Sequence, residues 1–242
     1  MPRPSGGRFC AVSYVFDPGE RPALPVSGSD LRLPVRRVFC VGRNYAEHAR
    51  EMGHDPDREP PFFFGKDAAA LTLARAVPYP PATRDLHHEI ELVPALHRGG
   101  QDIPVEQVRQ HIFGYAVGID LTRRDLQSEA KSLRRPWYLA KSFVGAAPIG
   151  PLQPAEAVGH PRRGTIRLAV NGQERQAGDL AQLIWSVEEM VQILSQLDRL
   201  LPGDLIFTGT PAGVGPLRPD DRVEAEVEGV ARIGFAITAH GA

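Results

Sequence analysis

Proline and glycine interrupt this chain too often for long uninterrupted helices: 23 prolines and 24 glycines fall within 242 residues. Proline fixes φ and removes a backbone donor, and glycine weakens element interiors, so this punctuation favours short strands and tight turns over a helical bundle. The local patterns agree. RLAVNGQERQ centres on Asn171-Gly172, the strongest short hairpin signal, and RVEAEVEGVARIGFAI alternates about Glu228-Gly229. RRVFCVG and FGYAVGIDL read as strands, the second buried, and PFFFGK is a further apolar run.

Helices are fewer. In SVEEMVQILSQLDRL, Ser186 and Glu189 form a capping box, and Val187, Met190, Val191, Leu194 and Leu197 trace one apolar face. PVEQVRQHI and TRRDLQSEAKSL also read as helices, with Thr122 and Asp125 of the second close to a capping-box arrangement. NYAEHAREMG reads as a short helix entered through Asn44 and closed by Gly53. The expected fold is α+β and dominated by sheet. Residues 1–34 hold one plausible strand, Phe9 to Phe16, and the proline-rich DPGERPALPVSG, so a small N-terminal appendage is expected ahead of a main domain over 35–242.

A chain of this length can bury a substantial core without disulfides. Its formal net charge of −1 gives no bias toward nucleic acid or a membrane surface. Cys10 and Cys40 lack metal-ligand spacing and suggest a reducing compartment. The opening MPRPSGGRF has no apolar leader core and no run reaches spanning length, so the expected setting is cytoplasmic, without a membrane or nucleic-acid partner.

HHEIEL is the most informative stretch. In a strand His87, Glu89 and Glu91 share one face while His88, Ile90 and Leu92 share the other. Two carboxylates side by side repel unless water screens them or a cation lies between them, and a solvent-facing strand edge is the simplest alternative for these two alone. Asp120 adds a third acid at the end of the uncharged GYAVGI, where a buried carboxylate needs a cation or several hydrogen bonds, capping of the next helix being the competing use. Three carboxylates on strand ends describe an oxygen-only site for Mg²⁺ or Mn²⁺. His87 is on the face of a fourth ligand or supporting partner, and Pro94 suggests that pairing breaks, or the strand becomes an edge, soon after Glu91.

Three further patterns carry chemistry. His48 and Glu51 are three apart on a helix, a spacing that lets a carboxylate orient an imidazole as a water-activating base, although exposed His/Glu pairs are common on surface helices. GDLIFTGTPAGVG is a strand running into a glycine- and threonine-rich turn without the lysine of a P-loop. Lys141 interrupts the apolar WYLAKSF and could hold an anionic intermediate or simply snorkel to the surface.

Together CVGRNYAEHAREMG, HHEIEL, GIDLTRRDLQ, PWYLAKSF, VNGQERQ and TGTPAGVG resemble the fumarylacetoacetate hydrolase family in order and spacing, from Val35 to the C-terminus. GRNYAEHAREMGHDPDREPPFFF is most similar to its bacterial fumarylpyruvate hydrolases of gentisate breakdown. The resemblance implies a mixed β-sandwich roll, a homodimer, and Mg²⁺ or Mn²⁺ on Glu89, Glu91 and Asp120. It implies a water-activating dyad of His48 and Glu51 in a lid segment, a lysine near the metal at Lys141, and substrate-facing Arg124, Gln127 and Thr210. The implied reaction is hydrolysis of an acylpyruvate, with oxaloacetate decarboxylation on the same site, or binding without catalysis, as alternatives. Two departures concern the pocket: GKDAAAL replaces an expected Lys-Pro-Ala-Asp, with Asp67 as a candidate compensation, and Val144 stands where an acid is expected.

Overall fold

The computed structural model describes residues 13–51 and 59–239. A six-stranded sheet runs in the order Gln153–Pro154, Ile112–Ile119, Ile90–Leu96, Leu205–Phe207, Val38–Gly42, Phe62–Lys66. All its pairs are antiparallel except Val38–Gly42 with Leu205–Phe207. A five-stranded sheet follows the order Gln173–Asp179, Thr165–Val170, Arg222–Val227, Ala231–Thr238, Ala76–Pro78. Both expected hairpins are in it. Asn171 and Gly172 have φ of 53° and 76°, the left-handed pair that a two-residue hairpin turn demands.

The two sheets and the helix Val187–Leu197 share one apolar cluster that includes Ile90, Leu92, Val117, Leu168, Ala225, Met190 and Val191. A second cluster lies on the other face of the six-stranded sheet, where Val93, Ala95, Cys40 and Phe207 meet Leu24 and Leu33 from the hairpin Ala23–Pro25/Arg32–Pro34 and Val35 just after it. Each buried Val, Leu, Ile, Met or Phe among them contributes about 1.5–3 kcal/mol relative to exposure. The strict alternation Ile90 and Leu92 one way, Val93 and Ala95 the other, fixes which way the acids point. Glu91 and Glu89 continue the row of Ala95 and Val93 beyond its apolar part.

Several local expectations are corrected. The HHEIEL strand is interrupted at Glu89, between Leu86–His88 and Ile90–Leu96. Leu86–His88 leaves to pair in a small sheet with Thr122–Arg123 and Gly215–Leu217. Pro94 neither ends the strand nor makes it an edge, because Ile90–Leu96 lies between Ile112–Ile119 and Leu205–Phe207. Its missing N–H faces Leu205–Phe207, where neighbouring bonds Thr208 N–H to Leu92 O and Leu96 N–H to Asp204 O hold the pair together.

Thr122 is not an N-cap: it belongs to a two-residue strand, the helix begins at Arg124, and Asp125 accepts from Thr83 Oγ and Arg84 N–H instead. Asn44 does not cap the helix Ala46–Glu51. Its amide donates to the carbonyls of Trp185 and Thr208 and accepts from Trp185 N–H, tying three segments together. Gly53 lies outside the described residues. The capping box of Ser186 and Glu189 is present, but Leu197 is exposed at that helix's end. Val105–His111 is a 3₁₀ helix. Residues 13–16 of the expected Phe9–Phe16 strand are not in a strand, and 9–12 lie outside the described residues. No helix among the described residues is long and apolar enough to cross a membrane.

Candidate active site

At the end of the second core face the apolar row gives way to acids. Glu89, Glu91 and Asp120 are 5%, 2% and 1% exposed, which rules out a solvent-facing edge. One oxygen from each lies within 4.8 Å of the others. Asp120 N–H donates to Glu89 O (2.8 Å), locking the two strand ends together.

Buried carboxylates at this spacing need positive charge, and the fold supplies it unevenly. Lys141 Nζ donates to Glu89 Oε2 and Asp120 Oδ2, both at 2.7 Å. Arg124 donates to Glu89 Oε1 and, at 2.7 Å, to Gln127 Oε1 one helical turn on. Lys66 Nζ lies 2.7 Å from Asp120 Oδ1 and also donates to the carbonyls of Leu121 and Lys141. Burial alone would raise the Glu89 pKa, but Lys141 and Arg124 outweigh it and hold the carboxyl well below its usual range. Burial likewise works against a charged Lys141, and Asp120 and Glu89 outweigh it, raising that pKa.

Glu91 is different. It has no cationic side-chain partner among the described residues, and its Oε2 accepts only the Gly209 N–H, at 2.6 Å. Burial, then repulsion from Asp120 and Glu89, pushes its pKa well above the carboxylate range. Asp120 Oδ1 is fully buried and has no hydrogen-bond partner: its contact with Lys66 is close but lacks hydrogen-bond geometry, so it is an ion pair with a lone pair to spare. An unneutralised acid and a spare buried oxygen on a three-carboxylate donor set fit a hard divalent ion such as Mg²⁺ or Mn²⁺. His87 is not part of this set. Its Nε2 meets Asp85 Oδ1 at 2.8 Å and its Nδ1 faces Arg124 Nε, so it braces the arginine.

The His48/Glu51 pair is formed, with His48 Nδ1 3.1 Å from Glu51 Oε2. His48 is buried and lines the same cleft as Glu89, Glu91, Arg124, Gln127, Lys141 and Thr210, a space of about 240 Å³. One turn holds both constellations. Gly209 donates to Glu91, and Gly213, four residues later in TGTPAGVG, donates to Glu51 at 3.2 Å. Gly209 sits at φ +94°, where a Cβ would lie 2.7 Å from Asn44 Cβ, so both the backbone angle and the close approach require glycine.

Two residues that pattern reading passed over are central. Lys66 closes PFFFGK as the single charge in an apolar run, the same signal that singled out Asp120. Gln176 gave no signal of its own, because its strand Gln173–Asp179 is mostly polar. It is fully buried, accepting from Ile90 N–H (3.2 Å), facing His88 Nδ1 (2.9 Å) and donating to Thr210 Oγ and Pro211 O, both at 2.8 Å. It braces the acid strand against the turn. Asp67 accepts from the hydroxyls of Tyr138 and Ser142 and does not line the cleft. Val144 is 89% exposed and also lies outside the lining, so its lack of charge leaves the pocket wall unaltered.

This β-rich scaffold with its strand-borne carboxylate cluster belongs to the fumarylacetoacetate hydrolase family of enzymes: the family model described as fumarylacetoacetate (FAA) hydrolase C-terminal matches residues 37–238. Among solved structures, the chain is similar to a fumarylpyruvate hydrolase from Pseudomonas aeruginosa in complex with Mn²⁺ and pyruvate. The two share 50% identity with a TM-score of 0.91, over 94% of this chain and 100% of that one. Among curated relatives it is 38% identical to the mitochondrial oxaloacetate tautomerase of Mus musculus, over 84% of this chain and 91% of the relative. It is 37% identical to an oxaloacetate tautomerase of Escherichia coli K12, over 84% and 93%.

Proposed function

We propose that this protein is a divalent-metal-dependent hydrolase that cleaves a carbon–carbon bond in an acylpyruvate, with fumarylpyruvate, an intermediate of aromatic-compound breakdown, as substrate. The observation that carries this reading is one cleft lined both by Glu89 and Glu91 of the buried three-carboxylate cluster, Glu91 having no cationic partner among the described residues, and by His48 of the His/Glu dyad. The 50% identity to a fumarylpyruvate hydrolase with Mn²⁺ and pyruvate supports it. Glu89, Glu91 and Asp120 would hold Mg²⁺ or Mn²⁺. When bound, such an ion supplies a Lewis acid and an anchor for the pyruvyl carboxylate and its neighbouring oxygen.

The chain's own groups do the rest. Glu51 accepts from His48 and fixes the imidazole, whose other nitrogen removes a proton from water as that water attacks the distal carbonyl. The bond between that carbonyl carbon and the pyruvyl methylene then breaks, its electron pair passing to pyruvate enolate while the acyl carbon leaves as fumarate. Lys141, buried beside Glu89 and Asp120, keeps a fixed positive charge near the developing enolate. Arg124, Gln127 and Thr210 line the cleft as polar contacts for substrate. Protonation at the methylene completes pyruvate.

Relatives named oxaloacetate tautomerase, at 37–38% identity, favour a second reading in which the same cleft moves a proton on oxaloacetate. The test follows loss of enol absorbance from fumarylpyruvate, using protein stripped of metal and then given Mn²⁺ or Mg²⁺. Metal-restored loss with equal yields of fumarate and pyruvate is expected. An inert enzyme that equilibrates the oxaloacetate tautomers would overturn the hydrolytic reading.

A further inference from the structure

The cleft contains more positive charge than its acids use. Arg124 and Lys141 are engaged by Glu89 and Asp120, whereas Arg43 and Lys131 line the same cleft with no carboxylate partner among the described residues. Both are held on aromatic rings. The Arg43 guanidinium lies 5.0 Å from the centre of the Phe62 ring and Lys131 Nζ lies 5.1 Å from that of Trp137, while the two rings meet edge to face at 5.3 Å. Trp137 also meets Phe64, over which Lys141 Nζ sits at 5.1 Å. One aromatic wall therefore carries three cations: the buried Lys141 at the acid cluster, and the partly exposed Arg43 and Lys131 farther out.

The backbone is specialised to build that outer end. A Cβ on Gly42 would lie 1.9 Å from a Phe62 ring carbon, so the ring's seat exists only because residue 42 is glycine. Arg43 follows at φ 57°, a left-handed conformation that is strained for a non-glycine residue. Half-buried beside Arg124 and Lys141, Lys131 also has its pKa lowered, first by burial and then by those neighbours and Arg43. Uncommitted cations packed on rings in a partly dry cleft are a site for an anion.

We propose that Arg43 and Lys131 form a carboxylate subsite that selects acylpyruvates whose acyl group ends in a second carboxylate. The inference rests on the acylpyruvate hydrolase reading, with the pyruvyl end at the acid cluster and the acyl chain running along the Phe64–Trp137–Phe62 wall. It assigns specificity, rather than bond cleavage, to these two residues.

The test compares kcat/KM for fumarylpyruvate and for acetylpyruvate, which lacks the distal carboxylate, in Mn²⁺-loaded wild type, Arg43→Asn, Lys131→Met and Arg43→Lys. Asparagine tolerates the left-handed backbone, and Lys131→Met keeps the side chain's length. Loss of one charge-assisted contact is expected to lower the fumarylpyruvate-to-acetylpyruvate ratio ~10–100-fold, chiefly through KM for fumarylpyruvate, with Arg43→Lys recovering part of it. If Arg43→Asn does not fold, Lys131→Met alone carries the comparison. An unchanged ratio, or equal losses on both substrates, overturns the subsite while leaving hydrolysis standing. A wild-type enzyme inactive on both acylpyruvates overturns the functional reading and the subsite with it.

Discussion

Glu89, Glu91 and Asp120 are nearly fully buried at the ends of interior strands, whereas His48 and Glu51 share a helix of 6 residues and the Glu51 side chain is 37% exposed. The difference matches what each group would have to do. Oxygens that share a cation must keep fixed spacings, and strands locked by the Asp120–Glu89 backbone bond, Lys66, Lys141 and Gln176 provide that rigidity. A base that activates water must meet water, and a short helix beside the cleft allows it. The TGTPAGVG turn joins the two halves through its donors to Glu91 and Glu51.

The sharpest way to break this comparison is at the acid end. Asp120→Ala removes the shared partner of Lys66 and Lys141, and the expected outcome is loss of both Mn²⁺ binding by calorimetry and measurable turnover. At the other end, His48→Ala should lower hydrolysis ~10²–10⁴-fold while Mn²⁺ still binds. If His48→Ala loses the metal as well, the two constellations are not separate devices.

Lys141→Met probes the rigid half by itself. Removing the cation leaves Glu89 with Arg124 and Asp120 with Lys66 as their remaining cationic partners, so the metal-free protein should lose about 1.5–3 kcal/mol of stability, with saturating Mn²⁺ narrowing the gap. Equal destabilisation with and without Mn²⁺ would mean that ion and lysine do not serve the same carboxylates. The smallest effect is on pH. Because the folded pKa of Glu91 is raised, the metal-free fold retains a proton there that the unfolded chain loses above the ordinary carboxylate range. Stability of the metal-free protein from this group therefore falls as pH rises through that window. Mn²⁺ must displace that proton, so its affinity should rise by about tenfold per pH unit up to the raised pKa and then level off. Glu89 acts in the opposite sense: its stabilisation is present above its ordinary pKa and is lost as pH falls.

Sequence pattern revealed the parts of the site that break a local rule. Glu89, Glu91 and Asp120 are charges in apolar or alternating runs, and the Asn171-Gly172 and Ser186/Glu189 signals are local enough to act alone. What stayed hidden depends on distant partners. Asn44 looks like a cap but spends its amide on Trp185 and Thr208, and Gln176 sits in a strand polar enough to mask its burial. The break at Glu89 arises because Leu86–His88 pairs with two segments far away in the chain. Pro94 survives in an interior strand because the bonds on either side of it come from Asp204 and Thr208.

The most direct test of water attack on the distal carbonyl is turnover of fumarylpyruvate by the Mn²⁺-loaded enzyme in H₂¹⁸O, followed by mass spectrometry of the fumarate. One ¹⁸O atom in each fumarate formed is the expected result. Fumarate formed without label, or fumarylpyruvate returned uncleaved, would contradict it.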